Sequence, residues 1–182
     1  MVATLDVIFI GYASADGVAG TVSLVRDEDL VIVVDPGMVP ARSAILDPLA
    51  ERGLAPGDVT DVVISHHHPD HTVNIALFGE DVRIHDHWAT YRRDQWESRP
   101  ADGVRLSPGV TLLETPGHTP QDITTLVQTD HGVAALTHLW WYEGIPGDPR
   151  ATDEERLLAE RERVAALADV VVPGHGTPFR LG

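Results

Sequence analysis

The chain has 182 residues, no cysteine, an apolar share of 43% and a formal net charge of -15. That length supports one domain with a sizeable core and not comfortably two. The lack of cysteine excludes disulfides and thiolate metal ligands, and the acidity argues against nucleic acid as a partner, because like charges repel at long range. No apolar run reaches the roughly 18 residues needed to cross a bilayer, so no membrane partner is expected. The opening residues, Met1-Val2-Ala3-Thr4-Leu5-Asp6, lack the basic stretch of a secretory leader, and a cytoplasmic location is the default expectation.

Taken in chain order, residues 5–10 and 18–26 have the composition of strands, with a Gly-containing loop between them. Residues 30–34 form a short apolar run that Asp35-Pro36-Gly37 stops as a turn. Residues 42–52 carry helical spacing, with Ile45, Leu46 and Leu49 on one face and Gly53 placed to end the helix. Val62-Val63-Ile64 reads as a short buried strand, and a histidine cluster follows it at once. Further strands are predicted over 82–84, 110–113, 123–127 and 133–136. Thr152-Asp153-Glu154-Glu155 reads as a capping box that opens an amphipathic helix to about residue 167. Residues 170–172 form a last strand, ended by Pro173-Gly174. Strands come in runs with helices between them, and no repeat or low-complexity linker interrupts them. This predicts one domain in which two sheets are covered by helices.

The cluster is Ser65-His66-His67-His68-Pro69-Asp70-His71. His66 and His68 are two residues apart, so in an extended segment they point the same way. Asp70 and His71 follow Pro69, where the chain turns, so one short loop can present several ligands to one cleft. His118, in Thr115-Pro116-Gly117-His118-Thr119, and His175, in Val172-Pro173-Gly174-His175-Gly176, each follow a predicted strand and a Pro-Gly step. Such a step ends a strand in a tight turn and exposes the next side chain at the sheet edge. Together these residues supply enough ligands for two ions, and neutral imidazole with carboxylate suits zinc, manganese or iron(II). His67 alternates away from the ligand pair. His85 and His87 frame Asp86 after a strand and are candidates to line the cleft, whereas His131 reads as a surface turn residue.

The set resembles the His-x-His-x-Asp-His signature of the metallo-β-lactamase superfamily, with the Pro-Gly-His pieces downstream in that family's order. The resemblance spans nearly the whole chain, from Val34-Asp35-Pro36-Gly37 and the strands before it to Pro173-Gly174-His175-Gly176. It implies an α/β fold, an αββα sandwich of two mixed β-sheets flanked by helices, over residues 1–182 as a single domain. It also implies that His66, His68 and His118 hold a first ion, that Asp70, His71 and His175 hold a second, and that Asp35 orients a ligand histidine. A narrower resemblance, in residues 170–179 and Asn74-Ile75-Ala76-Leu77-Phe78, is to the group around the animal metallo-β-lactamase domain-containing protein type 1. One position departs from the family pattern. The family places a metal-bridging Asp after the strand that follows the third histidine, and His138 stands there in this chain. A neutral imidazole has one free lone pair and cannot bridge. Three roles stay open for His138: ligand of one ion, pocket wall, or cause of a weakened second site.

The cofactor expected from this reading is one or two zinc ions, with iron or manganese as alternatives. The reaction expected is hydrolysis of a small ester, thioester, lactone or lactam by a metal-activated water, with Asp70 as the catalytic residue that holds the water and moves its proton. The alternatives are phosphodiester cleavage by the same fold, a mononuclear iron dioxygenase, and a metal-binding domain without catalysis. Trp140-Trp141-Tyr142, just after His138, is a candidate substrate wall, homodimer contact or piece of core packing.

Overall fold

A strand that is apolar at every position must be covered on both faces. Residues 30–34 and 170–172 are of this kind. In the computed structural model, which describes residues 2–182, each lies in a sheet with another sheet on one side and a helix on the other. The first half of the chain forms β1 (Thr4–Phe9), β2 (Tyr12–Ala13), β3 (Val18–Ala19), β4 (Val22–Asp27), β5 (Leu30–Val34), α1 (Ser43–Glu51), β6 (Asp61–Val63), α2 (Pro69–Thr72), β7 (Arg83–His85), β8 (Ala89–Arg92) and β9 (Gln95–Ser98). The second half forms β10 (Arg105–Ser107), β11 (Val110–Glu114), β12 (Ile123–Thr129), β13 (Gly132–Thr137), α3 (Glu154–Ala165), β14 (Val170–Pro173) and β15 (Phe179–Arg180). One sheet has the order β1-β4-β5-β6-β7-β8-β9, the other β10-β11-β12-β13-β14-β15, and β2 and β3 make a separate hairpin. Both large sheets are mixed. β5, β6 and β7 run parallel, as do β13 and β14, and their other neighbours are antiparallel.

The period-two alternation of a strand sorts the core. Ile32 and Val34 of β5 point between the sheets, where they join Leu112, Ile123, Val127 and Leu136. Val33 points the other way, with Val22 and Leu24, onto Ile45 and Leu49 of α1. On the second sheet Ala134 and Leu136 face inward, while Ala135 faces Leu157 and Val164 of α3. This is the αββα sandwich. Each fully buried Leu or Ile of these layers contributes roughly 1.5–3 kcal/mol relative to exposure.

Some predicted elements need correction. Residues 18–26 are not one strand. Between β3 and β4 the Gly20 N–H donates to the Asp70 carbonyl at 3.0 Å and the Thr21 N–H to the Gly174 carbonyl at 2.8 Å. Those bonds draw the chain out of the ladder. Asp153, not Thr152, caps α3: its carboxylate accepts from the Arg156 N–H at 2.9 Å. The Thr152 hydroxyl donates instead to the Gly117 carbonyl at 3.2 Å. The β8–β9 hairpin turns at Arg93, with φ +55°, without the Gly or Asn that marks such a turn in a sequence. Among the described residues, no helix is long and apolar enough to cross a membrane.

The C-terminal ends of β5, β6, β11, β13 and β14 converge on one edge of the sandwich. Asp35, His66, His118, His138 and His175 lie just beyond them. The Ile123 N–H donates to the Ser65 carbonyl at 2.8 Å and ties the two sheets together there.

Away from that edge, at the start of β6, sits a buried carboxylate. Asp61 is 1% exposed. It accepts from Arg83 Nε and Nη2, both at 2.7 Å, and from the Thr60 hydroxyl at 2.7 Å, and it lies 2.7 Å from His85 Nε2. Burial raises the carboxyl pKa, but Arg83, His85 and Thr60 outweigh it and hold Asp61 far below the usual carboxylate range. A depressed pKa stabilises the fold above the unfolded value of roughly 4, and the contribution is lost as pH falls below it. Asp61→Asn is expected to cost about 2–3 kcal/mol at pH 7 in urea unfolding. The gap between wild type and variant is expected to narrow steadily from about pH 4 to pH 2. A gap that stays constant over that range would show that Asp61 acts by packing and not by charge.

Candidate metal centre

The loop after β6 carries the cluster because backbone groups from two other segments grip it. The Asp70 carbonyl accepts the N–H groups of Gly20 and Met38, at 3.0 and 3.2 Å. Gly37 leaves the space this needs, since a Cβ there would fall 1.7 Å from the Asp70 oxygen. The Asn74 side chain donates to the Gly37 carbonyl at 2.7 Å. His118 sits in a turn pinned by Asp122, which accepts from the Thr119 N–H at 2.7 Å and the Thr119 hydroxyl at 2.5 Å. Burial pushes the Asp122 carboxyl up to about 6. α3 docks on the same turn, and Gly117 admits it: a Cβ at Gly117 would meet the Leu157 backbone at 2.5 Å.

Hydrogen bonds fix which nitrogen is free in four of these rings. Asp35 accepts from the Ser65 N–H at 2.7 Å and from the Ser65 hydroxyl at 2.6 Å, and its Oδ2 lies 2.9 Å from His71 Nδ1. Because the Ser65 hydroxyl proton goes to Asp35, Ser65 Oγ is an acceptor for His66 Nδ1, 3.1 Å away. His118 Nδ1 donates to Asp148 Oδ2 at 2.7 Å, and His175 Nδ1 to the Ala19 carbonyl at 3.0 Å. Nε2 is therefore the inward atom of His66, His71, His118 and His175.

These inward atoms crowd together. His68 Nδ1 lies 2.9 Å from His66 Nε2 and 3.0 Å from His118 Nε2, and it has at most one proton to share between them. Nearby, Asp70 Oδ2 lies 3.5 Å from His71 Nε2 and 3.6 Å from His175 Nε2. His138 Nε2 is 3.0 Å from His175 Nε2. The ring nitrogens of His66, His118 and His138 fall within 4.8 Å of one another, as do those of His71, His138 and His175. Every sequence-predicted ligand thus reaches one cleft, and His138 lies between the two groups.

The electrostatics fit bound cations. Burial, reinforced by neighbouring imidazoles, holds His66 and His138 well below their usual pKa and also lowers His68 and His175. These rings are neutral, the form that binds metal. His71 differs. Burial lowers it, but the Asp35 carboxylate outweighs burial and raises its pKa, so the site draws positive charge. His71 Nε2 is buried and has no hydrogen-bond partner. A divalent ion held by imidazole and carboxylate satisfies both features, and the residues present fit such a group.

A cavity of about 720 Å³ opens beside the cleft. His68, Asp70, His118, His138 and His175 line it, with Trp141, Arg150 and the β2–β3 hairpin on its other walls. His85 and His87, which were candidates to line the cleft, are not among these residues. His85 is spent on Asp61 and on the Thr90 hydroxyl, inside the first sheet. His67 points away to Asp86, 3.0 Å distant, and His131 is exposed. Within the tryptophan pair, Trp141 lines the cavity, whereas Trp140 packs on Phe179 and under the Arg161 guanidinium. Asp148 is the participant that the sequence did not disclose. Besides His118, it accepts from Trp141 Nε1 at 2.9 Å and from the Arg150 N–H at 2.8 Å. Nothing in Gly147-Asp148-Pro149 marks it as the partner of a histidine 30 residues away.

Comparison with known proteins agrees with this geometry. The family model described as the metallo-beta-lactamase superfamily matches residues 15–176. The chain is 34% identical over 171 residues to metallo-beta-lactamase domain-containing protein 1 of Xenopus laevis, covering 89% of this chain and 72% of that one. It is 38% identical over 161 residues to the Homo sapiens protein of the same name, covering 82% of this chain and 59% of that one. The chain therefore spans between about three-fifths and three-quarters of the length of these relatives. A hydroxyacylglutathione hydrolase of Rhodopseudomonas palustris (strain BisB18) is 30% identical over 107 residues, 56% of this chain and 41% of that one. Among solved structures, a quorum-quenching N-acyl homoserine lactone lactonase superposes with a TM-score of 0.68 at 19% identity, covering 96% of this chain and 91% of that one. With the family model matched over most of its length, this chain belongs to the metallo-beta-lactamase superfamily.

Proposed function

We propose that the chain is a metal-dependent hydrolase of a small ester, thioester, lactone or lactam, with zinc as the ion. The observation that carries this reading is the meeting of His66 Nε2, His68 Nδ1 and His118 Nε2 at the wall of a cavity, with the distal nitrogens of His66 and His118 already hydrogen-bonded. The similarity to a lactonase and to a hydroxyacylglutathione hydrolase points to the same reaction type. The cavity volume of about 720 Å³ suits a small substrate.

His66, His68 and His118 would hold the reacting ion. Bound there, it supplies Lewis acidity and lowers the pKa of coordinated water. The chain's own residues do the rest. Asp70 turns Oδ2 toward His71 and His175 and also lines the cavity. Its carboxylate is placed to orient a water and take its proton. Trp141 offers an apolar face to the acyl part of a substrate, and its indole N–H is engaged by Asp148, so the ring is held in one orientation. Asp148 is a positioning residue for ligand and wall together.

The test is turnover of a panel of lactones, thioesters and β-lactams by the chain stripped of metal and then reloaded with zinc. Activity that appears only on reloading supports the reading, and no turnover of any member rejects it. Asp70→Asn keeps the shape but removes the proton acceptor. It is expected to lower kcat by about a hundredfold or more while zinc binding at His66, His68 and His118 stays unchanged. An unaltered kcat would remove Asp70 from the chemistry. Asp148→Ala is expected to weaken zinc binding about 10–100-fold and to shift tryptophan fluorescence as Trp141 loses its partner. If zinc affinity holds while only fluorescence moves, Asp148 positions the wall alone.

A further inference from the structure

We propose that the two groups of donors are unlike sites: His138 is the fourth ligand of a site with Asp70, His71 and His175, while His66, His68 and His118 form a site of three protein ligands. The inference rests on the hydrolase reading for the ion's role and goes beyond it by giving the two ions different work.

The distances sort the donors. His68 Nδ1 is within 3.0 Å of both His66 Nε2 and His118 Nε2, which makes a group of three. Asp70 Oδ2 is 3.5 and 3.6 Å from His71 Nε2 and His175 Nε2, and His138 Nε2 is 3.0 Å from His175 Nε2, which makes a group of four. His138 is also within range of His66 and His118. One imidazole nitrogen has one lone pair, so it can serve only one ion, and the 3.0 Å approach to His175 assigns its Nε2 to the second group. Gly174 makes that approach possible. A Cβ there would fall 2.5 Å from His138 Cδ2 and 3.0 Å from His138 Nε2.

Ligand count then separates the roles. Three protein ligands leave a position for water and substrate, whereas four complete a zinc site. Both groups contribute to the cavity wall, the first through His68 and His118 and the second through Asp70, His138 and His175. The group of four is completed by His138. Its ion would link the loop after β6 to the ends of β13 and β14, and so pull one sheet against the other. Chemistry is left to the first ion.

The test loads the full chain with zinc, challenges it with a chelator and follows metal per chain over time. Wild type is expected to hold two zinc ions, one lost quickly and one at least tenfold more slowly. His138→Ala should make the slow ion as labile as the fast one. His138→Phe fills the space of the ring but has no lone pair, and it should do the same, which separates loss of a ligand from loss of packing. The fast ion is expected to remain in both variants. A slow ion retained by both variants, two ions of equal lability in wild type, or loss of the fast ion would each overturn the proposal. If two unlike ions bind as stated yet no substrate turns over, the hydrolase reading fails and the site assignment stands. Wild type without zinc overturns both.

Discussion

One buried carboxylate sets the tautomer of a histidine in each half of the cleft. Asp35 receives the Ser65 N–H, the Ser65 hydroxyl and His71 Nδ1. Through the hydroxyl it decides the tautomer of His66, and directly it decides that of His71. A donor of each group therefore answers to the same side chain. Asp35 adopts φ +54°, which costs a non-glycine residue about a kilocalorie per mole or more. The strain is sustained by the hydrogen bonds that it permits, which join the end of β5 to the end of β6.

The rest of the cleft follows from close approach. Glycines stand where one loop must lie against another: Gly37 against Asp70, Gly117 against α3 and Gly174 against His138. In each case a methyl group would strike backbone or a buried ring. The loops thus hold donors at fixed spacing without help from regular secondary structure, and only α2, four residues long, lies within the cluster.

Much of this was legible in the sequence because the signals are local. The His-rich loop, the two Pro-Gly-His turns and the apolar strands before them carry their meaning within a few residues, and the structure brings them to one edge. What was not legible depends on contacts between distant segments. The break after β3 arises from bonds to Asp70 and Gly174, and the role of Asp148 from a histidine in another turn. The hairpin of β8 and β9 turns at an arginine and an aspartate, without the residues that announce such a turn. The partner of His85 was not legible for a different reason. The parity of β7 turns His85 into the sheet, toward a carboxylate that the sequence marks only as the start of a strand.

The β2–β3 hairpin stands differently from the other walls. Its base is fastened by the His175 Nδ1 bond to the Ala19 carbonyl and by the Thr21 bond to Gly174, while residues 13–18 reach over the cavity. Its tip is exposed and carries Ser14, Ala15 and Asp16, none of which supports a donor. The cavity mouth and the donor cluster are therefore separable in this chain. The tip can change length or charge during divergence while the base keeps its bonds, so the mouth can be reshaped without rebuilding the centre beneath.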